Sequence, residues 1–315
     1  MGHLPVMCSH VVMHLQGIGC GLIIDGTVGQ GGHAEAILEQ LPDAVGVVGL
    51  DRDPDAVAAA STRLNRFGSR FVAIPCSYAD IDTWRPRLPS ADVRGFLLDL
   101  GLSSVQLETR GRGFSYTDPD SLDMRFDPES TDPSVEDIVN TWPERDLADT
   151  FFRYGEERAS RRIARAIIRR RAQVRIGSAR DLADLISRVV HGKQSAIHPA
   201  TRCFQALRIA ANRELEHLSR GLDAAESILQ PGGRLIVISF HSLEDRIVKN
   251  FLSGRIGRCT CPPHLPVCTC SRRAAFRIVT RHPELPTPEE ISANPRARSA
   301  KLRCAERVVS EGDNP

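Results

Sequence analysis

A glycine-rich turn after a short apolar run is the part of the sequence best suited to hold a small molecule. The turn, residues 25–33, contains four glycines and directly follows the apolar residues 22–24. Glycine has no side chain and tolerates left-handed dihedral angles, so a ligand can lie directly against the backbone of such a turn. The pattern predicts a nucleotide-cofactor site at the end of the first strand.

Two cofactors compete for this turn. Gly29, Gly31 and Ala34 have the spacing of the dinucleotide fingerprint, and Asp51, about 20 residues further on, stands where that motif places a ribose-binding carboxylate. Asp25, however, ends the strand where a dinucleotide's pyrophosphate would approach, and the two negative charges would repel each other. S-adenosylmethionine carries an ammonium and a positively charged sulfur, which the same carboxylate attracts. The charge favours S-adenosylmethionine, and an NAD-dependent dehydrogenase is the alternative.

The elements around this turn alternate between strand-like and helix-like patterns. Short apolar runs separated by amphipathic helices are typical of a doubly wound α/β sheet covered on both faces. Three of the predicted strands end in a carboxylate, namely Asp25, Asp51 and Asp99, and ligands bind beyond the carboxyl ends of such strands. We therefore expect the three acids to converge on one crevice. The predicted strands of this part are residues 22–25, 45–51, 71–74 and 95–99.

The middle of the chain breaks this alternation. Turn-forming Asp-Pro pairs follow Gly113, and helical spacing then dominates until the α/β pattern resumes after Pro199. The sequence predicts a helical insertion at residues 113–199, which could recognise a substrate, and a cofactor-binding α/β domain from residues 1–112 and 200–315. In the second part of that domain we expect one long helix and three strands, which complete a seven-stranded sheet. These elements are residues 206–229, 234–240, 275–280 and 302–309.

The charge is uneven along the chain although its formal sum is only +2. Residues 153–180 contain ten arginines and two acidic residues. Clustered arginines can neutralise RNA phosphates, whereas a solvated helix face is the structural alternative. The candidate RNA contacts are Arg158, Arg161, Arg162, Arg165, Arg169, Arg170 and Arg171.

Several classes of protein are disfavoured by the sequence. No apolar run approaches membrane-spanning length and no signal-peptide pattern begins the chain, so we expect a cytoplasmic protein. The nine cysteines do not resemble a disulfide framework. Four of them could bind zinc or could remain free thiols. They are Cys259, Cys261, Cys268 and Cys270.

Many ordered segments carry a resemblance that extends over nearly the whole chain. They are residues 3–7, 25–33, 51–54, 98–107, 112–115, 122–125, 154–157, 198–202 and 239–246. Together they resemble the bacterial 16S ribosomal RNA cytosine-N4-methyltransferase family, called RsmH or MraW. The resemblance implies transfer of a methyl group from S-adenosylmethionine to the exocyclic N4 of a cytidine in the decoding region. It also implies that the partner is 16S ribosomal RNA, within the small ribosomal subunit.

The resemblance also implies site residues. The cofactor contacts would be Gly31, Gly32, His33, Asp51, Tyr78, Asp99 and Gln106. Tyr78 stands where the family usually has phenylalanine, and its ring can still pack on an adenine. The chemistry of the reaction adds a hypothesis of its own: Asp99 and the loop at residues 100–104 accept a hydrogen bond from the N4 amine. His241, at the end of a later predicted strand, would take up the released proton or simply bond to the adjacent turn. A non-catalytic RNA-binding assembly factor is a further alternative.

Overall fold

The computed structural model describes residues 5–190, 198–257 and 274–308. The chain divides into two compact units. The sheet unit comprises Met1–Gly101 and Leu215–Pro315, and the helical unit comprises Leu102–Glu214.

Seven strands form the sheet of the sheet unit, in the order β3-β2-β1-β4-β5-β7-β6. Strands β1 to β5 run parallel, whereas β7 is antiparallel to both β5 and β6. The strand order reverses direction between β1 and β4. At such a switch point the carboxyl ends of the strands form the edges of a ligand-binding crevice. The predicted seven-stranded α/β fold is confirmed. The strands are β1 Gly21–Asp25, β2 Val45–Asp51, β3 Phe71–Pro75, β4 Val93–Asp99, β5 Leu229–Ser239, β6 Phe276–Ile278 and β7 Lys301–Arg307.

At the two ends of the chain the described helices alternate with strands, as expected. Between β4 and β5 the described elements are all helices. The described helices are α1 Cys8–Leu15, α2 Gly32–Gln40, α3 Pro54–Leu64, α4 Ile81–Trp84, α5 Ser104–Glu108, α6 Val135–Thr141, α7 Glu144–Gly155, α8 Ser160–Arg171, α9 Ala179–Val189, α10 Thr201–Asn212, α11 Glu214–Ile228, α12 Ser242–Gly254 and α13 Pro288–Ala293. None of these helices is long and apolar enough to cross a membrane.

The start of α3, the helix that follows β2, is determined by neighbouring residues in the sequence. The Asp53 side chain accepts a hydrogen bond from the Asp55 amide and caps α3, whose first residue is Pro54. Proline suits the first helical position because its missing N–H would have no helical partner there. This predicted cap is confirmed, and it leaves Asp51 at the strand end.

The predicted long helix at residues 206–229 is wrong, because α10 and α11 are separate helices. Arg213 between them has a left-handed backbone, with φ 51°. Just before it, the Asn212 side chain accepts a hydrogen bond from the Phe126 amide at 2.8 Å and donates one to the Met124 carbonyl at 2.7 Å. These long-range bonds tie the end of α10 to the segment at residues 124–126 of the same unit.

The helical unit extends beyond the predicted insertion, residues 113–199, at both ends. Its core joins α7, α8 and α10, with Phe151, Ile163 and Leu207 fully buried. The α7–α10 contact is close, since a Cβ on Gly155 would lie 2.6 Å from the Arg202 carbonyl oxygen. The clustered cysteines at positions 259, 261, 268 and 270 lie outside the described residues, so zinc binding stays a hypothesis.

Candidate active site

The glycine turn adopts the backbone that only glycine accepts without strain. Gly29 and Gly31 have φ of 50° and 80°, and Gly31 precedes the first residue of α2. A Cβ on Gly31 would also lie 2.9 Å from Cδ1 of Leu64, so a larger residue would collide as well as strain. The turn therefore presents bare backbone at the end of β1, as the sequence predicts.

Asp51 holds this turn from the neighbouring strand. Its Oδ2 accepts a hydrogen bond from the Gly29 amide at 2.9 Å, and its Oδ1 accepts one from the Asp53 amide at 3.0 Å. Burial raises the pKa of Asp51 to about 6, although these backbone hydrogen bonds oppose the shift. Each carboxylate oxygen has a second lone pair, so Asp51 can hold the turn and still accept hydroxyl groups from a ribose.

Asp25 is a fully buried carboxyl group with one oxygen unpaired. Its Oδ1 accepts a hydrogen bond from the Thr27 amide at 3.2 Å, but its Oδ2 has no hydrogen-bond partner among the described residues. Burial raises the pKa of Asp25 to about 7; the charge on His33 opposes this shift, and the charges on Asp99 and Asp51 add to it. A buried oxygen without a partner is costly, so the site fits a ligand that donates a hydrogen bond or carries a positive charge.

Asp99 and His33 form a buried ion pair across the same crevice. Nε2 of His33 lies 3.2 Å from Oδ2 of Asp99, and the Asp99 amide donates to Oγ1 of Thr27 at 2.7 Å. Burial alone would lower the pKa of His33, but the hydrogen bond and charge of Asp99, with smaller contributions from Cys8 and Asp25, raise it to about 10. The contact with Asp99 therefore favours the protonated imidazole, although Nδ1 of His33, like Oδ1 of Asp99, is buried without a partner among the described residues.

The crevice thus combines three carboxyl groups with one imidazolium. Its surplus of negative charge attracts a cation and repels a diphosphate. The two unpaired oxygens, on Asp25 and Asp99, lie on neighbouring parallel strands. The structure brings together the three predicted acids and His33.

Tyr78 is held at the end of β1 by two glycines. A Cβ on Gly26 would lie 3.0 Å from the Tyr78 Cβ, and a Cβ on Gly221 in α11 would lie 2.3 Å from the ring atom Cδ2. The ring therefore packs directly on the backbone of α11. Gly221 was missed by the sequence interpretation because it looks like an ordinary helix residue.

Comparison with known proteins identifies the class of this site. The sequence profile of the MraW methylase family matches residues 1–308. The chain belongs to the MraW methylase family. The predicted methyltransferase is confirmed, and with it the use of S-adenosylmethionine as methyl donor. The dehydrogenase alternative is rejected.

Curated relatives of this MraW methylase are similar over nearly their whole length. Proteins named ribosomal RNA small subunit methyltransferase H are 46% identical in Thermomicrobium roseum, covering 98% of this chain and 95% of the relative, and 45% identical in Dehalococcoides mccartyi, covering 99% and 88%. In Methylorubrum populi the identity is 47%, covering 99% of this chain and 89% of the relative. A solved rRNA methylase from Streptococcus thermophilus is 10% identical, with a TM-score of 0.43 over 98% of this chain and 99% of that chain.

His241 follows β5 at the carboxyl edge of the sheet, where it caps α12. Its Nδ1 accepts a hydrogen bond from the Glu244 amide at 3.4 Å, and its Nε2 lies 3.2 Å from Oε1 of Glu244. The other oxygen of Glu244 accepts a hydrogen bond from the Phe240 amide at 2.8 Å. This capping geometry favours the alternative in which His241 bonds to the adjacent turn, and its role as proton acceptor stays a prediction.

Gln106 belongs to the helical unit, where it caps a short helix. Its side-chain oxygen accepts a hydrogen bond from the Ser103 backbone amide at 3.1 Å. The backbone amide of Gln106 donates one to Oγ of Ser103, also at 3.1 Å. Its predicted cofactor contact in this MraW methylase stays a prediction.

The seven candidate RNA contacts of the basic segment, residues 153–180, separate into two groups. Arg170 pairs with Asp181 at 3.2 Å, and Arg171 donates to the carbonyls of Val139 and Trp142 at 2.9 and 2.7 Å, so these two serve the packing of the helical unit. The other five side chains are exposed, as an RNA-binding face requires. They are Arg158, Arg161, Arg162, Arg165 and Arg169.

Replacing Gly221 with alanine should weaken binding of the methyl donor about tenfold, because the new methyl group displaces the Tyr78 ring. Calorimetry with S-adenosylmethionine measures this. The matched control is Gly254→Ala in α12, where nothing lies within 4 Å of the added Cβ. Equal donor affinity of the two variants would show that the position of Tyr78 does not matter.

Proposed function

We propose that this protein transfers a methyl group from S-adenosylmethionine to the exocyclic N4 of a cytidine in the decoding region of 16S ribosomal RNA. The observation that carries the proposal is the acidic crevice at the ends of β1, β2 and β4 in a chain of the MraW methylase family. The curated relatives are named ribosomal RNA small subunit methyltransferase H, and the sequence motifs resemble the cytosine-N4 enzymes.

The residues of the crevice fit the methyl donor. The unpaired oxygens of Asp25 and Asp99 suit an ammonium group, and Asp51 suits the two ribose hydroxyls. Gly31 and Gly32 offer backbone without side chains, and the Tyr78 ring offers a flat surface for an adenine. When bound, the donor supplies an electrophilic methyl group on a positively charged sulfur.

Asp99 is the residue best placed to act on the acceptor amine. The N4 lone pair of cytosine is delocalised into the ring, and a hydrogen-bond acceptor on one N4 proton localises that pair as the new bond forms. His33 contacts Oδ2 of Asp99 and leaves Oδ1 without a partner among the described residues, so Oδ1 is available to accept that hydrogen bond. The proton lost from N4 after transfer leaves through the Asp99 carboxylate, with His241 as the alternative acceptor. The site must also align the methyl group with the nitrogen and exclude water.

The helical unit would bind the RNA. A base must leave its stack to reach an active site, and the flanking phosphates need cations to hold the strand. The five exposed arginines of the basic segment, Arg158, Arg161, Arg162, Arg165 and Arg169, supply these cations, and the substrate context is the small ribosomal subunit. A ribosomal RNA substrate places the enzyme in the cytoplasm.

Incubation with labelled S-adenosylmethionine and undermethylated small subunits, followed by nucleoside mass spectrometry, tests the proposal. We expect the label in N4-methylcytidine from 16S ribosomal RNA. Label in another nucleoside, or no label from protein that binds the donor, would contradict it.

Donor affinity should depend on pH through Asp25. Its carboxyl group gains a proton as the pH falls through about 7, and a neutral carboxyl no longer attracts the donor's ammonium. We expect affinity to fall by up to about tenfold per unit below that pH. Calorimetry at several pH values measures the effect, and an Asp25→Asn variant should show a flatter profile; identical profiles would refute the assignment of Asp25.

A further inference from the structure

A pocket of about 420 Å³ lies within the helical unit, between the second half of α7 and the first turn of α8. Its volume is in the range of pockets that hold small ligands. One aromatic ring, one carboxylate and four guanidinium groups line it. These belong to Phe152, Asp149, Arg153, Arg158, Arg161 and Arg162.

Phe152 exposes its ring instead of joining the core. Its side chain is 63% exposed, whereas the adjacent Phe151 is fully buried in the hydrophobic core of the unit. A single exposed apolar residue needs no explanation by itself. Here, however, the ring lines a pocket whose other side chains are charged, and an aromatic face beside cations is the arrangement on which nucleic-acid bases stack.

The four arginines of the pocket make no ion pair or hydrogen bond with the described residues. Farther along α8, by contrast, Arg165 lies 3.7 Å from Glu144 and Arg170 pairs with Asp181. The first turn of α8 contains no acidic residue. Positive charges there oppose the helix dipole, so the cluster costs stability unless an anion neutralises it.

We propose that this pocket binds one nucleotide of single-stranded RNA, with the base stacked on Phe152 and the adjoining phosphates held by Arg158, Arg161 and Arg162. The carboxylate of Asp149 accepts a hydrogen bond from an N–H group on the base edge. The inference rests on the proposed function, since the strand is that of the ribosomal RNA substrate. It adds to that function an aromatic subsite for one base, which the arginine cluster alone would not indicate.

Fluorescence anisotropy with a labelled single-stranded RNA of about 10 nucleotides tests the stacking on Phe152. We expect Phe152→Ala in the full-length protein to weaken RNA binding about tenfold, the loss typical of one stacked base. The matched control is Val174→Ala, which removes another exposed apolar side chain of the same unit, 55% exposed, outside the pocket. That control should bind RNA as the unchanged protein does, and both variants should bind S-adenosylmethionine normally.

Two further measurements test the stacked base and the phosphate contacts separately. Tryptophan at this position, in Phe152→Trp, should lose fluorescence when the RNA binds, because a stacked base quenches it. Replacing Arg158, Arg161 and Arg162 together with alanine should reduce the slope of log affinity against log salt by about 2, since each single-strand phosphate contact contributes about 0.7. Arg145→Ala, which removes an exposed arginine of α7 outside the pocket, should leave the slope unchanged.

Unchanged RNA affinity of Phe152→Ala, or no quenching in Phe152→Trp, would overturn the stacking subsite. Equally tight binding of polyglutamate at the same salt concentration would overturn it too, since charge alone would then explain the pocket. None of these three results bears on the methylation assay, whose failure would instead contradict the proposed function. The two proposals can therefore fail separately.

Discussion

The Asp99→Ala variant should lose methyl transfer by about a hundredfold to a thousandfold while it remains folded. Groups that stabilise charge developing in a transition state have effects of this size. Asp99 has one oxygen bonded to His33 and one buried oxygen without a partner among the described residues. Removing the carboxylate takes away the proposed hydrogen-bond acceptor for the amine and one of the anions of the proposed donor site.

Two variants sharpen the Asp99 experiment. Asp99→Asn keeps the shape of the side chain but not its charge, so it should fold normally and still lose transfer. Asp92→Ala removes a half-buried carboxylate just before the opposite end of the same strand, where it pairs with Arg94, and should leave transfer unchanged. Turnover near normal in Asp99→Ala would eliminate the proposed role.

The His33 imidazole offers a readout independent of activity. Its pKa is about 10, above its ordinary value, mainly through Asp99 acting against burial. In Asp99→Ala this pKa should fall by more than a unit, which an NMR titration of the ring protons detects. A titration that does not change would show that the ion pair does not form.

The Asp25→Asn variant should be more stable than the unchanged protein and should bind the donor roughly a hundredfold less tightly, the usual cost of losing a buried charge partner. Burial raises the pKa of Asp25 from 3.8 to about 7. Ionising Asp25 in the donor-free protein therefore costs up to about 4 kcal/mol of unfolding free energy, at 1.36 kcal/mol per pKa unit.

The pH dependence of this stability difference follows from the direction of the shift. A raised carboxyl pKa means that the folded protein holds the proton more tightly than the unfolded chain. The unchanged protein therefore loses stability as the pH rises from about 4 to about 7. The advantage of Asp25→Asn should be small at the lower value, grow across this range and level off above it. Denaturant unfolding without donor measures this, and an equal difference at every pH would contradict the account.

Much of the candidate site was predictable because its signals are local or topological. The glycine spacing fixed the turn after β1, and the rule that ligands bind at the carboxyl ends of parallel strands placed Asp25, Asp51 and Asp99 at one edge. The cap at Asp53 also follows from its own neighbours in the sequence.

Features that depend on long-range packing were not predictable. Helical periodicity is continuous across Arg213, whose left-handed backbone is set by bonds that Asn212 makes to a distant loop. The contact of Tyr78 with Gly221 joins residues far apart in the chain, so neither residue signals it alone. Charges are visible in a sequence, but the complete burial of Asp25 and its unpaired oxygen are properties of the assembled fold.

Calorimetry of the purified protein with S-adenosylmethionine, its demethylated product and NAD tests most directly whether the acidic crevice is built for a cationic amino-acid cofactor. We expect saturable binding of S-adenosylmethionine that weakens in both Asp25→Asn and Asp99→Ala, and no binding of NAD. Saturable binding of NAD, with no heat from S-adenosylmethionine or its product, would contradict it.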